Sequence, residues 1–393
     1  MMHTEIDSLT LSRKTIRAAV AAFFFIQGLS FASWGSRIPH IQDQLKLSDA
    51  GLGGVLFALP VGLMASLPLS GWLVARYGSR LVVITAVSLY SLTLPLIGLV
   101  QTPWQLVTAL FFFGVWGNLA NIGVNTQAVG TEALYGRSIM ASFHGVWSLA
   151  GFSGAAIATL MISFHVSPLF HFCLISAIAL MLVLVAYKHT LPQDAPRDNN
   201  QPLLVRPDRT LLLLGLTAFC CMICEGTMFD WAGVYFHKVV KAPSQMTTLG
   251  YVAFMSTMAG GRFLGDRLAI RLGTKRLIQI NGVLIALGLL IAVFFPYLVT
   301  ATLGFLLVGM GVSTVVPLVY GAAGKSKTMS AGVALTAVSS IGFLGFLLGP
   351  PMVGFIAQAS SLRVSFAIVA VLGLCATLLI GKMNNESGVE RNE

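Results

Sequence analysis

Charge is scarce in this sequence. Only 10 % of its 393 residues are Asp, Glu, Lys or Arg, where a soluble domain carries about 25 %. Hydrophobic residues make up 56 %, and the mean hydropathy is +0.84. A soluble multidomain enzyme of this length is excluded. Acids are rarer than bases, 14 against 24, which leaves a net charge of +10. That excess does not indicate nucleic acid, because the basic residues are scattered through short loops and form no stripe. Cysteine is sparse as well. Cys173, Cys220, Cys221, Cys224 and Cys375 all fall in apolar runs, where Cys acts as a small apolar residue. Cys220, Cys221 and Cys224 have no second cluster and no His at ligand spacing, so neither a metal site nor a redox site is expected. No phosphate loop, zinc spacing or Ser/His/Asp arrangement stands on a soluble segment, and the nucleotide-binding domains of an ATP-driven pump are missing. No catalytic residue and no cofactor are therefore expected.

Long apolar runs are what the chain does have. A helix crosses a bilayer with about 20 apolar residues. Such runs are read at about 16–36, 50–74, 81–100, 104–128, 138–163, 167–187, 210–236, 246–268, 277–296, 299–320, 329–358 and 362–382. The first has the basic start of a signal peptide (Arg13, Lys14, Arg17), but with so many spans following, an uncleaved helix is expected. The stretch from Leu191 to Asp208 is rich in Pro, Asp and Asn and is the only long polar loop. The expected organisation is one six-helix unit over 1–190, a cytoplasmic linker over 191–209 and a second six-helix unit over 210–393.

Basic residues orient the spans. With the N-terminus in the cytoplasm, all Lys and Arg fall on that side except Arg37, Lys46, Lys238, Lys241 and Arg363. Arg262 is counted with the cytoplasmic group that follows span 8. The bias predicts both termini inside.

The halves echo one another. Gln27-Gly28-Leu29-Ser30-Phe31 returns as Glu225-Gly226-Thr227-Met228-Phe229, and Trp34 and Trp231 follow a few residues later. Arg76-Tyr77-Gly78-Ser79-Arg80 returns as Arg271-Leu272-Gly273-Thr274-Lys275, and Gly151-Phe152-Ser153-Gly154 as Gly342-Phe343-Leu344-Gly345. Several echoes in order at one offset indicate an internal repeat.

Residues 71–80, Gly-Trp-Leu-Val-Ala-Arg-Tyr-Gly-Ser-Arg, resemble the loop between spans 2 and 3 of the major facilitator superfamily. Ala75 stands where that pattern usually has an acid. The second copy, from Gly261 to Gly273, keeps one at Asp266. Ala32-Ser33-Trp34, Glu225-Gly226 with Asp230-Trp231, and Gly349-Pro350-Pro351 resemble bacterial members grouped with fucose-type sugar permeases. The resemblance implies an all-α membrane protein with twelve transmembrane helices in two pseudo-symmetric six-helix bundles. Spans 1, 4, 7 and 10 would line a central cavity, and transport would proceed by alternating access. It also implies a multi-pass protein of the bacterial inner membrane. Inner-gate charges would be Arg76, Arg80, Asp266 and Arg267, and Ala75 leaves the first-half lock without its usual acid.

One acid stands apart. Glu225 lies inside the run from Leu211 to Phe236, and no other span has an acid near its middle. A carboxylate there costs about 2.5 kcal/mol or more on insertion scales, so it is a functional candidate. Gaining and losing a proton would make it the coupling site; a static polar network is the alternative. Asp230, five residues on, points about 140° away on a helix. It is a second proton-coupling candidate, and it either pairs with Arg37 as an outer gate or stands separately solvated. Asn118, Asn121 and Asn125 share one helical face, and either bind a polar solute or glue helices together. His144 either binds solute or relays protons, or is a satisfied lone His. Trp34, Trp147 and Trp231 either stack a sugar-like ring or anchor span ends. Gln27 is a further hydrogen-bonding candidate. Gly342, Gly345, Gly349 and Gly354, with Pro350 and Pro351, mark close contact and a kink in span 11.

These residues favour proton-coupled symport of a small polar solute, sugar-like or an organic acid. The alternative is a proton-driven efflux antiporter for drugs or metabolites, which a cavity with Glu225 as its only charge would favour. Span 5 lacks the Gly-Pro of the drug/proton antiporter signature, which weighs against that alternative. A non-transporting sensor would show no counterflow. The expected partners are a small solute, protons and the lipid bilayer, with the chain acting as a monomer.

Overall fold

The computed structural model describes residues 12–136, 139–192, 207–326, 328–329 and 331–383. The expected linker therefore lies mostly outside the described residues, as do Arg137, Arg197, Arg206, Lys327 and Arg391 from the charge count.

The described residues form helices and no strand. In order they are α1 (Arg13–Gly35), α2 (Ile38–Gln44), α3 (Asp49–Leu56), α4 (Ala58–Tyr77), α5 (Ser79–Gly98), α6 (Pro103–Tyr135) and α7 (Met140–Ser163). There follow α8 (Pro168–Ala186), α9 (Arg209–Lys238), α10 (Leu249–Leu272), α11 (Thr274–Phe294), α12 (Leu298–Ala323), α13 (Ala331–Ala359) and α14 (Leu362–Gly381). α3 and α4 together make one crossing, interrupted at Phe57, and α2 is too short to cross. Twelve crossings result, one for each apolar run read in the sequence. Eleven are long and apolar enough to span a membrane by composition among the described residues. The twelfth, α10, is as long as its neighbours but carries Arg262, Asp266, Arg267 and Arg271.

Local chemistry sets the helix ends. Ser12, Ser48, Ser167, Asp208 and Ser361 each accept a hydrogen bond from a first-turn backbone N–H, which satisfies a donor that the helix cannot. Thr102 and Gln105 close a reciprocal capping box at the start of α6. Gly78, between α4 and α5, has φ 79° and ψ 153°, and Gly273, between α10 and α11, has φ 77° and ψ 147°. Side chains other than hydrogen are nearly excluded from that region. Lys46 and Lys241 are another equally spaced pair with matching positive φ, 51° and 54°.

Packing repeats in the same way. α1 lies against α7 and α8 as α9 lies against α13 and α14; α4 and α5 flank α6 as α10 and α11 flank α12. The two sets meet along α7 and α10, and where α13 packs on α3. At that second contact Gly53 approaches Gly354 so closely that a Cβ on Gly354 would lie 2.5 Å from the Asp49 carbonyl oxygen. α13 barely touches α4. The halves are thus drawn together on the face carrying α2 and part on the face where α1 begins and α14 ends.

Candidate functional site

A cavity of about 580 Å³ lies between the two sets of helices. α1, α6, α9 and α12 all contribute to its wall, as the resemblance implied, and α4, α5, α7, α10 and α13 add to it. Its polar groups are Gln27, Asn118, Asn121, His144, Glu225 and Arg262, together with Tyr90 on α5 and hydroxyls on α12. Much of the rest is aromatic.

Glu225 is in this wall, not turned to lipid. Its Oε1 accepts a hydrogen bond from Nη2 of Arg262 at 3.2 Å, and the two side chains are only 11 % and 17 % exposed. Arg262 Nη1 donates to Ser148 Oγ at 2.6 Å, and its guanidinium carbon sits 5.5 Å from the centre of the Trp147 ring. Glu225 on α9, Arg262 on α10 and Ser148 on α7 therefore form one chain of contacts across the seam between the halves. The cytoplasmic placement of Arg262 is corrected: it is a cavity residue. Its signal was available, since it stands inside the apolar run 246–268, and a basic residue within a span is a functional candidate.

The aromatic seat differs from expectation in its members. Trp147 lines the cavity, but Trp34 and Trp231 do not; they are 1 % and 0 % exposed and belong to the hydrophobic core. The cavity is lined instead by Phe31 and Phe229, whose rings meet edge to face at 5.2 Å. Trp147 lies 6.1 Å from Phe229, and Phe346 lies 6.3 Å from it. These phenylalanines end the two echoed pentapeptides, so Trp34 and Trp231, further along the same helices, are left to pack between helices.

The three asparagines separate. Asn118 donates to Ser66 Oγ and Ser70 Oγ, both at 2.9 Å, and so joins α6 to α4 while still bordering the cavity. Asn121 also borders it, whereas Asn125 does not, and donates to the Asn121 carbonyl at 2.8 Å. His144 reaches the cavity with its ring edge-on to Phe24 at 5.3 Å. Gln27 is buried in the wall, and its Nε2 has no hydrogen-bond partner among the described residues.

Of the two alternatives for Arg37 and Asp230, the outer gate pair does not form among the described residues, and neither side chain is solvated: both residues are buried. Arg37 donates through Nε to His171 Nδ1 at 3.2 Å and through Nη2 to the Val166 carbonyl at 2.8 Å. It staples the end of α1 to α8, within its own half. Asp230 is buried on α9 and does not line the cavity, as its angular offset from Glu225 required. The ion pairs that do join the halves on the α2 face were not anticipated. Among the described residues these are Asp49 with Lys238 at 2.6 Å and the contact of Asp43 with His237 at 2.9 Å, an ion pair when the imidazole is protonated. Thr159 and Thr248 hydroxyls meet across the seam at 2.7 Å.

On the opposite face, Arg76 rests over the Trp72 and Tyr77 rings. Arg80 donates to the Tyr187 carbonyl at 3.2 Å, and Arg267 is exposed. The side chain of Asp266 lies outside the described residues. With Ala75 in place of an acid, Arg76 has aromatic faces as its partners, a cation–π contact.

Comparison with known proteins agrees with this architecture. Residues 20–331 match the family model of the Major Facilitator Superfamily. An uncharacterised MFS-type transporter of Yersinia pestis is 35 % identical over 349 residues, 89 % of this chain and 91 % of that protein. Membrane protein MosC of Rhizobium meliloti is 31 % identical over 377 residues, 94 % and 91 % of the two chains. Among solved structures, a bacterial homolog of the human lysosomal transporter Spinster, inward-facing and occupied, superposes with a TM-score of 0.72. It is 15 % identical and covers 95 % of this chain and 97 % of that one, a likeness of fold. The chain belongs to the Major Facilitator Superfamily and is a multi-pass membrane transporter of that type.

Proposed function

We propose that this transporter is a proton-coupled symporter for a small polar solute, working by alternating access with Glu225 as its proton site. The observation that carries this is the contact chain Glu225–Arg262–Ser148, which places an ionisable carboxyl at the cavity wall and on the seam between the halves. A proton on Glu225 removes the negative partner of Arg262, and so alters both the cavity and the link across it. Residues 1–190 and 210–393 are the two moving bundles, joined by 191–209. With the termini in the cytoplasm of a bacterial cell, as the basic residues favour, the cavity as described faces inward. The chain acts as a monomer in the inner membrane. The motifs similar to fucose-type permeases support a polar cargo.

Proton-driven efflux of apolar compounds is the second reading, favoured by Phe24, Phe113, Phe343 and the other phenylalanines of the wall. Glu225 is not the only charge there, however, because Arg262 stands beside it, and the pair suits a polar cargo better. The test is transport in proteoliposomes carrying a pH gradient. Glu225→Gln should abolish gradient-driven uptake while leaving solute counterflow, which needs no net proton movement. Gradient-driven uptake that survives Glu225→Gln removes Glu225 from the mechanism, and net export of solute driven by the same gradient selects the efflux reading.

A further inference from the structure

We infer that the cargo is a small monocarboxylate with a ring in its body, held by the Arg262 guanidinium once Glu225 gives it up. The inference rests on the reading of Glu225 as the proton site, and it names the class of solute.

The argument begins with charge. Glu225 and Arg262 are the carboxylate and the guanidinium of the cavity wall. The other titratable groups near the pair are His144 on α7, Tyr320 on α12, and Cys221 and Cys224 on α9 itself. α1 presents the uncharged Gln27, and α13 presents Phe343 and Phe346. An arginine keeps its charge at any physiological pH. When Glu225 takes up a proton, Arg262 is left as a largely buried cation without a counter-charge, which is strongly unfavourable. An anion entering the cavity restores the pairing. A neutral solute leaves the cation uncompensated, and a cationic one adds a second. Proton and monoanion therefore favour each other's binding, and the loaded cavity has the same net charge as the empty one.

The geometry suits a carboxylate. A guanidinium offers two parallel N–H bonds along its Nε–Nη2 edge, which match the two oxygens of a carboxylate. Glu225 occupies only half of that edge: its Oε1 takes Nη2, and Nε has no partner among the described residues. Arg262 does not depend on Glu225 for its position, since Nη1 is tied to Ser148 and the guanidinium lies over Trp147. A free carboxylate can thus replace Glu225 on the same edge and use both donors. Gln27, 6 % exposed in the same wall, holds an unpartnered Nε2 donor for a further oxygen. Phe31, Phe229 and Trp147 supply the flat apolar surfaces that a ring needs.

The test uses benzoate and its neutral counterpart benzamide as probes of thermal stability, with the purified full chain in detergent. A ligand that binds the folded state raises the melting temperature by mass action. In Glu225→Gln, which mimics the protonated carboxyl, benzoate at pH 8 should bind at least tenfold more tightly than in the native protein, and benzamide should show no such gain. The native protein should gain affinity for benzoate on going from pH 8 to pH 5.5, and Glu225→Gln should not. The double variant E225Q/R262Q removes both charges, so it should still melt cooperatively and yet lose the benzoate response. Equal responses to benzoate and benzamide in Glu225→Gln, no response to either, or a benzoate response that persists in the double variant would each overturn the inference. Gradient-driven uptake of a neutral solute, lost in Glu225→Gln, would sink the monocarboxylate while leaving the transport mechanism standing. Proton-linked benzoate binding without counterflow of any solute would do the reverse.

Discussion

Lys238 Nζ lies 2.6 Å from Asp49 Oδ1, and these residues come from opposite halves of the transporter, at the end of α9 and the start of α3. Gln42 Nε2 donates to the same oxygen at 2.9 Å, so one carboxylate holds α2, α3 and α9 together. The nearby Gly53–Gly354 approach gives this face its close backbone contact. Together they hold the two halves in contact on the α2 face; under the alternating access proposed above, opening that side would break them.

The ion pair is partly solvated, with side chains 33 % and 20 % exposed, so its contribution is modest, about 0.5–1 kcal/mol. Asp49→Asn should raise the population opened on this face by about two- to fivefold at low salt. Spin labels at His40 and Gln245, both exposed on this face, would report it as a growing long-distance component. Distance distributions unchanged by the substitution would mean that the pair is incidental to closure.

Gly78 and Gly273 make a second test, of the backbone. A Cβ at either would meet no atom within 4 Å, so any cost of alanine comes from the conformation alone. Gly78→Ala and Gly273→Ala should each destabilise by about 1–3 kcal/mol, seen as a lowered melting temperature. Gly71 is the control: it is inside α4, with nothing near its Cα hydrogens, and alanine there should be neutral or stabilising, because glycine is a poor helix residue. Equal melting of all three variants would contradict the strain.

A third prediction concerns pH and Asp208, the residue that caps α9. Partial burial pushes its carboxyl up. The backbone N–H of Leu211, the Thr328 hydroxyl and the backbone N–H of Thr210 outweigh this, and the net direction is down. A carboxyl held below its unfolded value stabilises the fold above the ordinary range of Asp, about 3.9, and loses that contribution as pH falls through the folded value. Asp208→Ala should therefore cost about 1 kcal/mol near neutral pH, and the gap from the native protein should narrow in acid. A gap that stays constant with pH would show that the carboxylate charge is not involved.

Much of the fold was legible because bilayer crossing is a one-dimensional property. Eleven helices among the described residues are long and apolar enough, and the twelfth, α10, fails on composition because it carries cavity and loop charges. The repeat was legible for the same reason: glycines, arginines and aromatics return in order, and Gly78 and Gly273 proved to share a backbone conformation. The site was legible only in part. Glu225 announced itself as a lone acid inside a span, and Trp147, His144 and Gln27 proved to be its neighbours in the cavity wall. Trp34, Trp231 and Arg37 misled, because a side chain near a span end can serve a cavity, a seam or its own bundle, and hydropathy does not distinguish these. Arg262 was passed over because a count of charges by loop has no place for a basic residue that faces another helix.

The sequence by itself determined that this chain lives in a membrane, how many times it crosses, that it is built twice over, and which carboxyl stands inside a span. Those follow from composition and spacing, which act along the chain. Tertiary structure decided which residues meet: Arg262 with Glu225, Arg37 with His171, Lys238 with Asp49. Such contacts depend on how each helix is rotated and how closely it approaches its neighbours. Those angles and distances are set by packing across the whole assembly, and no single segment contains them.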